Sequence, residues 1–253
     1  MRPLDPPYFE RVSSQGDRPG PYVFTCEHAT DAFGAQPIES ENLGLMGTHW
    51  AIDIGAAALT RALARSTNSI AVLSTYSRLL LDSNRCLESK TLFVSQVESQ
   101  VIECNRDLSE EERQHRIKCL HAGYHSGIDE TLSKRVRLGP CLLVSMHSFT
   151  PVWNDHHRSV EIGVLFDNHQ TLAHHVIDCL KTLGFDARAN EPYSGMSGEL
   201  MYAATLHGHQ HQIPYLEFEV RQDLISTPEG IERIMHGINT ALQSIPLAFD
   251  STP

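Results

Sequence analysis

The chain has 253 residues, of which 41% are hydrophobic and 20% are charged, and its net charge is −11 with histidine neutral. These proportions are typical of a soluble globular protein, and the length permits one domain with a substantial core. The negative charge and the lack of a lysine or arginine cluster argue against a nucleic-acid-binding surface. Because no apolar run is long enough and the N-terminus has no apolar segment, we expect neither a membrane span nor a signal peptide. The six cysteines form no C-x-x-C pair, so we expect free thiols and a cytoplasmic protein.

The first half of the chain contains apolar runs of strand and helix length, separated by polar segments. Residues 1–20 are rich in proline and glycine and predict an irregular arm. The elements predicted after it are a buried strand over 22–26, a helix over 50–64 capped by Thr48, a strand over 70–73 and a second short strand or its continuation over 79–81.

The second half continues the alternation of strands and helices. Residues 87–107 are predicted to be an excursion near the site, and the acidic residues after Ser109 resemble a capping box that opens a helix. The further predicted elements are this helix to about 132, strands over 141–146, 159–166 and 213–220, helices over 169–183 and 228–243, and turns over 190–198. This order predicts a single domain over 1–253 with a mostly parallel sheet in a three-layer α/β/α arrangement.

Histidines and carboxylates follow several of the predicted strands. In an open α/β sheet the ligand crevice lies outside the carboxyl ends of the strands, where His28 and His147 are expected. Asp31 and Asp53 follow His28 along the chain. Zinc accepts imidazole and carboxylate ligands, and a catalytic site uses three of them from the protein. The alternative is that both histidines are hydrogen-bonded structural residues, since no H-E-x-x-H motif is present.

Glu217 and Glu219 alternate along a strand and therefore face the same side. On a buried strand they would repel each other unless a metal or an arginine compensates, and one of them would then act as a general base. The alternative is an exposed edge strand with Phe218 and Val220 facing inward.

Arg78, Asn84 and Arg85 lie within eight residues, beside an apolar segment. The planar donors of arginine suit carboxylates, so these residues indicate an anionic small-molecule substrate. Covalent catalysis by Cys26 is not expected, because neither a G-x-S-x-G elbow nor a helix N-terminus would activate a nucleophile.

These segments together resemble the N-formylglutamate amidohydrolase family over about residues 20 to 225. The segments that carry the resemblance are 26–29, 49–56, 76–78, 82–85, 147–151, 163–165, 190–194 and 219–224. The resemblance implies an α/β fold like that of the zinc carboxypeptidases and aspartoacylase-like enzymes (the phosphorylase/hydrolase-like fold). It also implies hydrolysis of an N-acyl amide by metal-activated water, with one zinc ion per chain.

The resemblance implies roles for individual residues. His28 and His147 would be zinc ligands and Glu219 the general base, while Arg78 would polarise the scissile carbonyl or bind a second carboxylate. The residues expected to bind the substrate are Asn84, Arg85, Ser148 and Arg221. Zinc carboxypeptidases carry H-x-x-E, but the third position after His28 is Asp31, so the preferred carboxylate ligand is Asp53, with Asp31 and then Glu27 as alternatives.

The implied reaction releases formate and glutamate from N-formylglutamate. Two alternatives remain at this stage, namely a deacylase acting on another N-acyl amino acid or cell-wall fragment, and a non-catalytic binding protein that retains the fold. No nucleic-acid or membrane partner is expected, and the sequence does not determine the oligomeric state.

Overall fold

The computed structural model describes residues 4, 6–15, 18–34, 44–198 and 200–246. In these ranges a seven-stranded sheet is accompanied by two short hairpins. The strands are β1 (Phe9–Val12), β2 (Tyr22–Cys26), β3 (Ile70–Ser74), β4 (Gln96–Val97), β5 (Gln100–Val101), β6 (Leu142–Phe149), β7 (Val152–Trp153), β8 (His156–His157), β9 (Ile162–Leu165), β10 (Ala187–Ala189) and β11 (Tyr215–Arg221).

The large sheet has the strand order β1-β3-β2-β6-β11-β9-β10. Its central strands β3, β2, β6 and β11 are parallel, so their carboxyl ends meet at one edge. β1 is antiparallel to β3, and β9 is antiparallel to β11 and parallel to β10. The prediction of a mostly parallel mixed sheet is confirmed.

Helices cover both faces of this sheet and complete the three layers. They are α1 (Ala56–Ser66), α2 (Glu110–Arg116), α3 (Ala122–Arg135), α4 (Gln170–Thr182), α5 (Tyr202–His211) and α6 (Pro228–Gln243). Tyr22, Phe24 and Cys26 of β2 pack into the core beneath α1, α4 and α6, while Val23 points to the opposite core with α3 and α5. The alternation along each strand therefore assigns every second side chain to one face. No helix among the described residues is long and apolar enough to cross a membrane.

Three predictions about the first half of the chain are wrong. Part of the expected irregular arm, Phe9–Val12, pairs with β3 as an edge strand. Residues 79–81 form turns rather than a strand, because their leucines pack into a separate core cluster with Leu92 and Ile102. Residues 1–3, 5, 16 and 17 of the predicted arm lie outside the described residues.

The third error concerns the helix expected over 50–64, which begins only at Ala56. Gly55 before it has φ +81°, and a Cβ there would lie 2.4 Å from the carbonyl oxygen of Ile225. The Asp53 amide donates to the carbonyl oxygen of His28 at 3.0 Å. Asp53 therefore lies in a turn before the helix, and that turn places it beside His28.

Helix ends in the second half agree more closely with the sequence. Ser109 caps α2 by accepting a hydrogen bond from the Glu112 amide at 3.2 Å, as the capping box predicts. α2 continues through a π-helical turn, Ile117–His121, into α3, and α6 has the predicted bounds. The sequence analysis did not predict α5, whose alanine- and histidine-rich sequence has no apolar stripe.

Gly163 of β9 allows a close approach between the sheet and the segment after β10. A Cβ there would lie 1.9 Å from the carbonyl oxygen of Glu191. We expect Gly163→Ala to lower the free energy of unfolding by about 2 kcal/mol, because backbone on one side must shift. Urea unfolding measures this, with Gly44→Ala as the control, since its added carbon meets no atom within 4 Å. Equal stability of the two variants would contradict the close approach.

Candidate active site

A cavity of about 510 Å³ opens at the carboxyl ends of β2, β6 and β11. Its walls come from the residues at these strand ends, from the turns over 78–85 after β3, and from residues 91–98 of the predicted excursion. The cavity therefore lies at the carboxyl ends of the strands, where the sequence predicted a ligand crevice.

His28, Asp53 and His147 form a buried cluster in the wall of this cavity. They offer one ligand atom each within 4.8 Å of one another. Asp53 Oδ2 lies 3.3 Å from His28 Nδ1 and 2.8 Å from His147 Nδ1. The Ser148 amide donates to the same oxygen at 3.3 Å, which fixes the carboxylate between the two rings.

A second carboxylate contacts the far nitrogen of each histidine ring. His28 Nε2 lies 2.8 Å from Asp82 Oδ1, and His147 Nε2 lies 3.0 Å from Glu27 Oε2. An ionised carboxylate only accepts hydrogen bonds, so each Nε2 donates to the carboxylate behind it. The Nδ1 atom of each ring faces Asp53. A carboxylate behind an imidazole is the arrangement that orients metal-binding histidines.

Glu27 contacts His147 on the ring nitrogen opposite Asp53 and accepts hydrogen bonds from two hydroxyl groups. The hydroxyls of Tyr124 and Ser145 donate to its two oxygens at 2.9 and 2.8 Å. Burial alone would raise the pKa of Glu27, but the hydrogen bonds of His147 and Ser145 lower it to about 2. Asp31, the other alternative ligand, accepts a hydrogen bond from the Gly47 amide at 2.8 Å and is not part of the cluster.

Glu217 and Glu219 lie on an interior strand, so the alternative of an exposed edge is wrong. β11 pairs with β6 on one side and β9 on the other, and the two side chains are buried. Burial raises the pKa of Glu217 to about 7 and holds that of Glu219 well above its usual value, with the Asp53 and Glu217 charges adding to the latter. Oε2 of each glutamate has no hydrogen-bond partner.

Both glutamates are close enough to His147 for its charge to act on their pKa values. Glu217 Oε2 is 3.7 Å from His147 Nε2, on the side where Glu27 lies. For Glu219, the charge of His147 lowers the pKa most, the charges of Asp53 and Glu217 raise it, and the charge of Arg78 lowers it. Glu219 lies opposite His147 in the pairing of β11 with β6.

Both predicted arginines of the 78–85 segment line the cavity. Arg78 Nη2 donates to Asp82 Oδ2 at 2.9 Å, and its Nη1 lies 3.2 Å from His28 Nδ1. Arg85 donates through Nη1 to the Asn84 carbonyl oxygen at 2.8 Å and through Nε to Thr91 at 3.1 Å. Two cationic groups thus lie beside the cluster, within reach of an anionic ligand.

Three predicted substrate-binding residues are engaged in contacts within the protein. The Asn84 side chain donates to the Leu200 carbonyl oxygen at 2.8 Å and accepts from the Ala203 amide at 3.0 Å, which ties it to the start of α5. The Ser148 hydroxyl donates to the Ile54 carbonyl oxygen at 2.9 Å. Both residues still line the cavity.

Arg221, the third, does not line the cavity, so the structure does not place it for the predicted role in substrate binding. Its guanidinium donates to Asp223 at 2.8 Å and to the carbonyl oxygens of residues 158–160. β11 ends at this residue, and its side chain therefore pairs beyond the strand end instead of over the cluster.

The sequence analysis gave no role to several residues of the cavity. Asp82 lies in the segment 82–85 that carries the family resemblance, but no role was predicted for it, although it orients His28. An aromatic wall also went unrecognised, because its members come from loops and a two-residue strand with no periodic pattern. These residues are His49, Trp50, Trp153 and Tyr193.

Cys26, Cys86, Cys119, Cys141 and Cys179 are free thiols. Cys26 packs in the core beneath α1, and burial raises the pKa of its thiol to about 12. This supports the expectation that Cys26 is not a nucleophile.

Comparison with known proteins assigns a family. The sequence model of the N-formylglutamate amidohydrolase family matches residues 20–226. Among proteins with curated descriptions, none matches this chain significantly.

Solved structures also resemble the chain. Gene product Atu2144 from Agrobacterium tumefaciens matches with TM-score 0.84 and 28% identity, covering 94% of this chain and 95% of that one. An N-formylglutamate amidohydrolase from Ralstonia eutropha JMP134 matches with TM-score 0.69 and 19% identity, over 92% and 94% of the two chains. The second likeness, at this identity, is one of fold.

Proposed function

Since the chain belongs to the N-formylglutamate amidohydrolase family and is accordingly an amidohydrolase, we propose that it uses zinc to cleave the N-acyl amide of an acidic amino acid such as N-formylglutamate. The observation that carries this proposal is the buried His28–Asp53–His147 cluster, with a carboxylate behind each imidazole.

The donor set of the cluster fits a zinc ion. We assign His28 Nδ1, His147 Nδ1 and the Asp53 carboxylate as the ligands, and two imidazoles with a carboxylate are ligands that zinc prefers. When bound, zinc would supply a Lewis acid that polarises a carbonyl and lowers the pKa of water to about 7. Five buried carboxyl groups lie in or beside the cluster, and a divalent cation would offset their repulsion. They are Glu27, Asp53, Asp82, Glu217 and Glu219.

Glu219 is the general base of this proposal. Its carboxyl group lines the cavity. Its Oε2 accepts no hydrogen bond from the protein, so this oxygen is available to accept a proton from water. A raised pKa also brings a carboxylate closer to the neutral range in which proton transfer is efficient. Glu219 would accept the proton of the attacking water and return it to the departing amine.

The arginines bind the negatively charged parts of the substrate. Arg85 would pair with the α-carboxylate and Arg78 with the polarised carbonyl or a second carboxylate. If His28 held the metal through Nδ1, it would give up its contact with Arg78 Nη1, and Arg78 would still have its ion pair with Asp82. Asn84 positions the start of α5, and Ser148 holds the Asp53 carboxylate.

A larger N-acyl amino acid is a second candidate substrate. The cavity of about 510 Å³ falls within the roughly 300–1,000 Å³ typical of sites for drug-sized molecules, so there is space beyond a formyl group. A non-catalytic role is disfavoured, because His28, His147 and Glu219 all lie at the cavity. Cytoplasmic location and the absence of nucleic-acid and membrane partners stay predictions.

We expect the protein to hydrolyse N-formyl-L-glutamate, to lose this activity on chelation and to regain it with zinc. Formate release measures the reaction, and N-acetyl and longer N-acyl amino acids form the comparison panel. Activity unchanged by a chelator that removes all metal would contradict the metal role. A zinc-loaded protein that hydrolyses none of the panel would contradict the proposed substrate class.

We expect Glu219→Gln to reduce kcat on the order of a thousandfold, because the amide cannot accept a proton from water. Its zinc content should match that of the wild type. Glu217→Gln is the matched control, since it changes a buried glutamate of the same strand face, and we expect a much smaller loss. Were Glu217→Gln inactive and Glu219→Gln active, the base would be Glu217.

A further inference from the structure

A second group of metal-binding side chains lies between α3 and α5, outside the cavity. Asp129 of α3 and His207 and His211 of α5 each offer one ligand atom, and these atoms lie within 4.8 Å of one another. The two histidines are four residues apart and therefore share one face of the helix. His211 Nε2 is already 2.9 Å from Asp129 Oδ1.

A chain of hydrogen bonds fixes the ring nitrogen that His207 offers. His125 Nε2 lies 3.0 Å from the Ser83 carbonyl oxygen, which only accepts, so this nitrogen carries a proton. His125 is buried, and no acidic side chain among the described residues forms an ion pair with it. Its ring is therefore neutral, because a buried charge without a partner is costly. Its Nδ1 is then an acceptor, and His207 Nε2, at 2.9 Å, donates to it.

His207 thus has its proton on Nε2 and a lone pair on Nδ1. Nδ1 is buried and has no hydrogen-bond partner, and the residue is only 2% exposed. An unpartnered acceptor in the interior is costly and rare in native proteins. A metal ion would satisfy this lone pair, and the proton on the other nitrogen is the second contact that metal-binding histidines usually make.

We propose that Asp129, His207 and His211 form a second, structural site for a divalent transition metal of the zinc type. Two imidazoles and a carboxylate suit zinc, cobalt or nickel better than calcium or magnesium. Gln210 Nε2 donates to the same Asp129 oxygen at 2.7 Å and helps to fix the carboxylate beside His211. This site stands apart from the proposed function, since none of its residues lines the cavity.

The metal would join two helices that support the catalytic edge. His125 of α3 holds the Ser83 carbonyl oxygen, and the first turn of α5 is bound by Asn84 through the Ala203 amide. An ion shared by Asp129 and the two histidines fixes α5 against α3. It thereby stabilises the turn that carries residues 83 and 84 to the cavity.

Equilibrium dialysis of the full-length apoprotein against zinc, followed by metal analysis, tests this site. We expect His211→Ala and Asp129→Asn to bind one zinc ion fewer per chain than the wild type. His236→Ala, an exposed histidine of α6, is the matched control and should bind the wild-type number. For each protein the unfolding temperature is compared with and without zinc, and we expect zinc to raise it less for the two site variants than for the wild type and the control.

The readout is a difference between proteins that share the same sheet-edge cluster. If the His28–Asp53–His147 cluster did not bind zinc, the zinc content of every protein would fall by the same amount. The site variants would still bind one zinc ion fewer than the wild type. Equal zinc content in the wild type, His211→Ala and Asp129→Asn would overturn the second site.

Discussion

The burial of two imidazoles among five carboxyl groups at one edge of a sheet is the constraint on which the rest of the structure depends. Such a cluster is stable only when each charge has a partner or is neutralised. The protein provides Asp82 behind His28 and Glu27 behind His147, and it places Asp53 between the two rings. In the proposed function, a divalent cation at the two Nδ1 atoms would complete this balance.

The sheet topology brings these groups together without a long sequence motif. β2, β6 and β11 are neighbours and parallel, so residues near their carboxyl ends share one edge. Strand alternation then directs Ser145 and His147 of β6 and Glu217 and Glu219 of β11 to the same face, where Glu219 lies in register with His147. Leu142, Val144 and Met146 of β6 point the other way, into the core beneath α1, α4 and α6, and so do Leu216, Phe218 and Val220 of β11.

The sequence predicts what depends on local pattern. Polar residues after apolar runs located His28 and His147, and alternation placed Glu217 and Glu219 on one face. The start of α1 was missed, because alanines give helical spacing from residue 50, whereas the positive φ of Gly55 and the Asp53–His28 hydrogen bond depend on tertiary contacts. The roles of Asp82 and Glu27 beside the histidines, and the turn of Arg221 towards Asp223, likewise arise only in the folded chain.

The central claim is that one metal ion is bound by His28 Nδ1, His147 Nδ1 and Asp53. The most direct measurement is a crystal structure of the zinc-loaded protein with anomalous diffraction recorded on both sides of the zinc absorption edge. We expect an anomalous peak at bonding distance from these three side chains, with Asp82 and Glu27 still hydrogen-bonded to the Nε2 atoms. A zinc-loaded crystal without a peak there, or with an ion held by Asp31 or by the Nε2 atoms, would contradict the account.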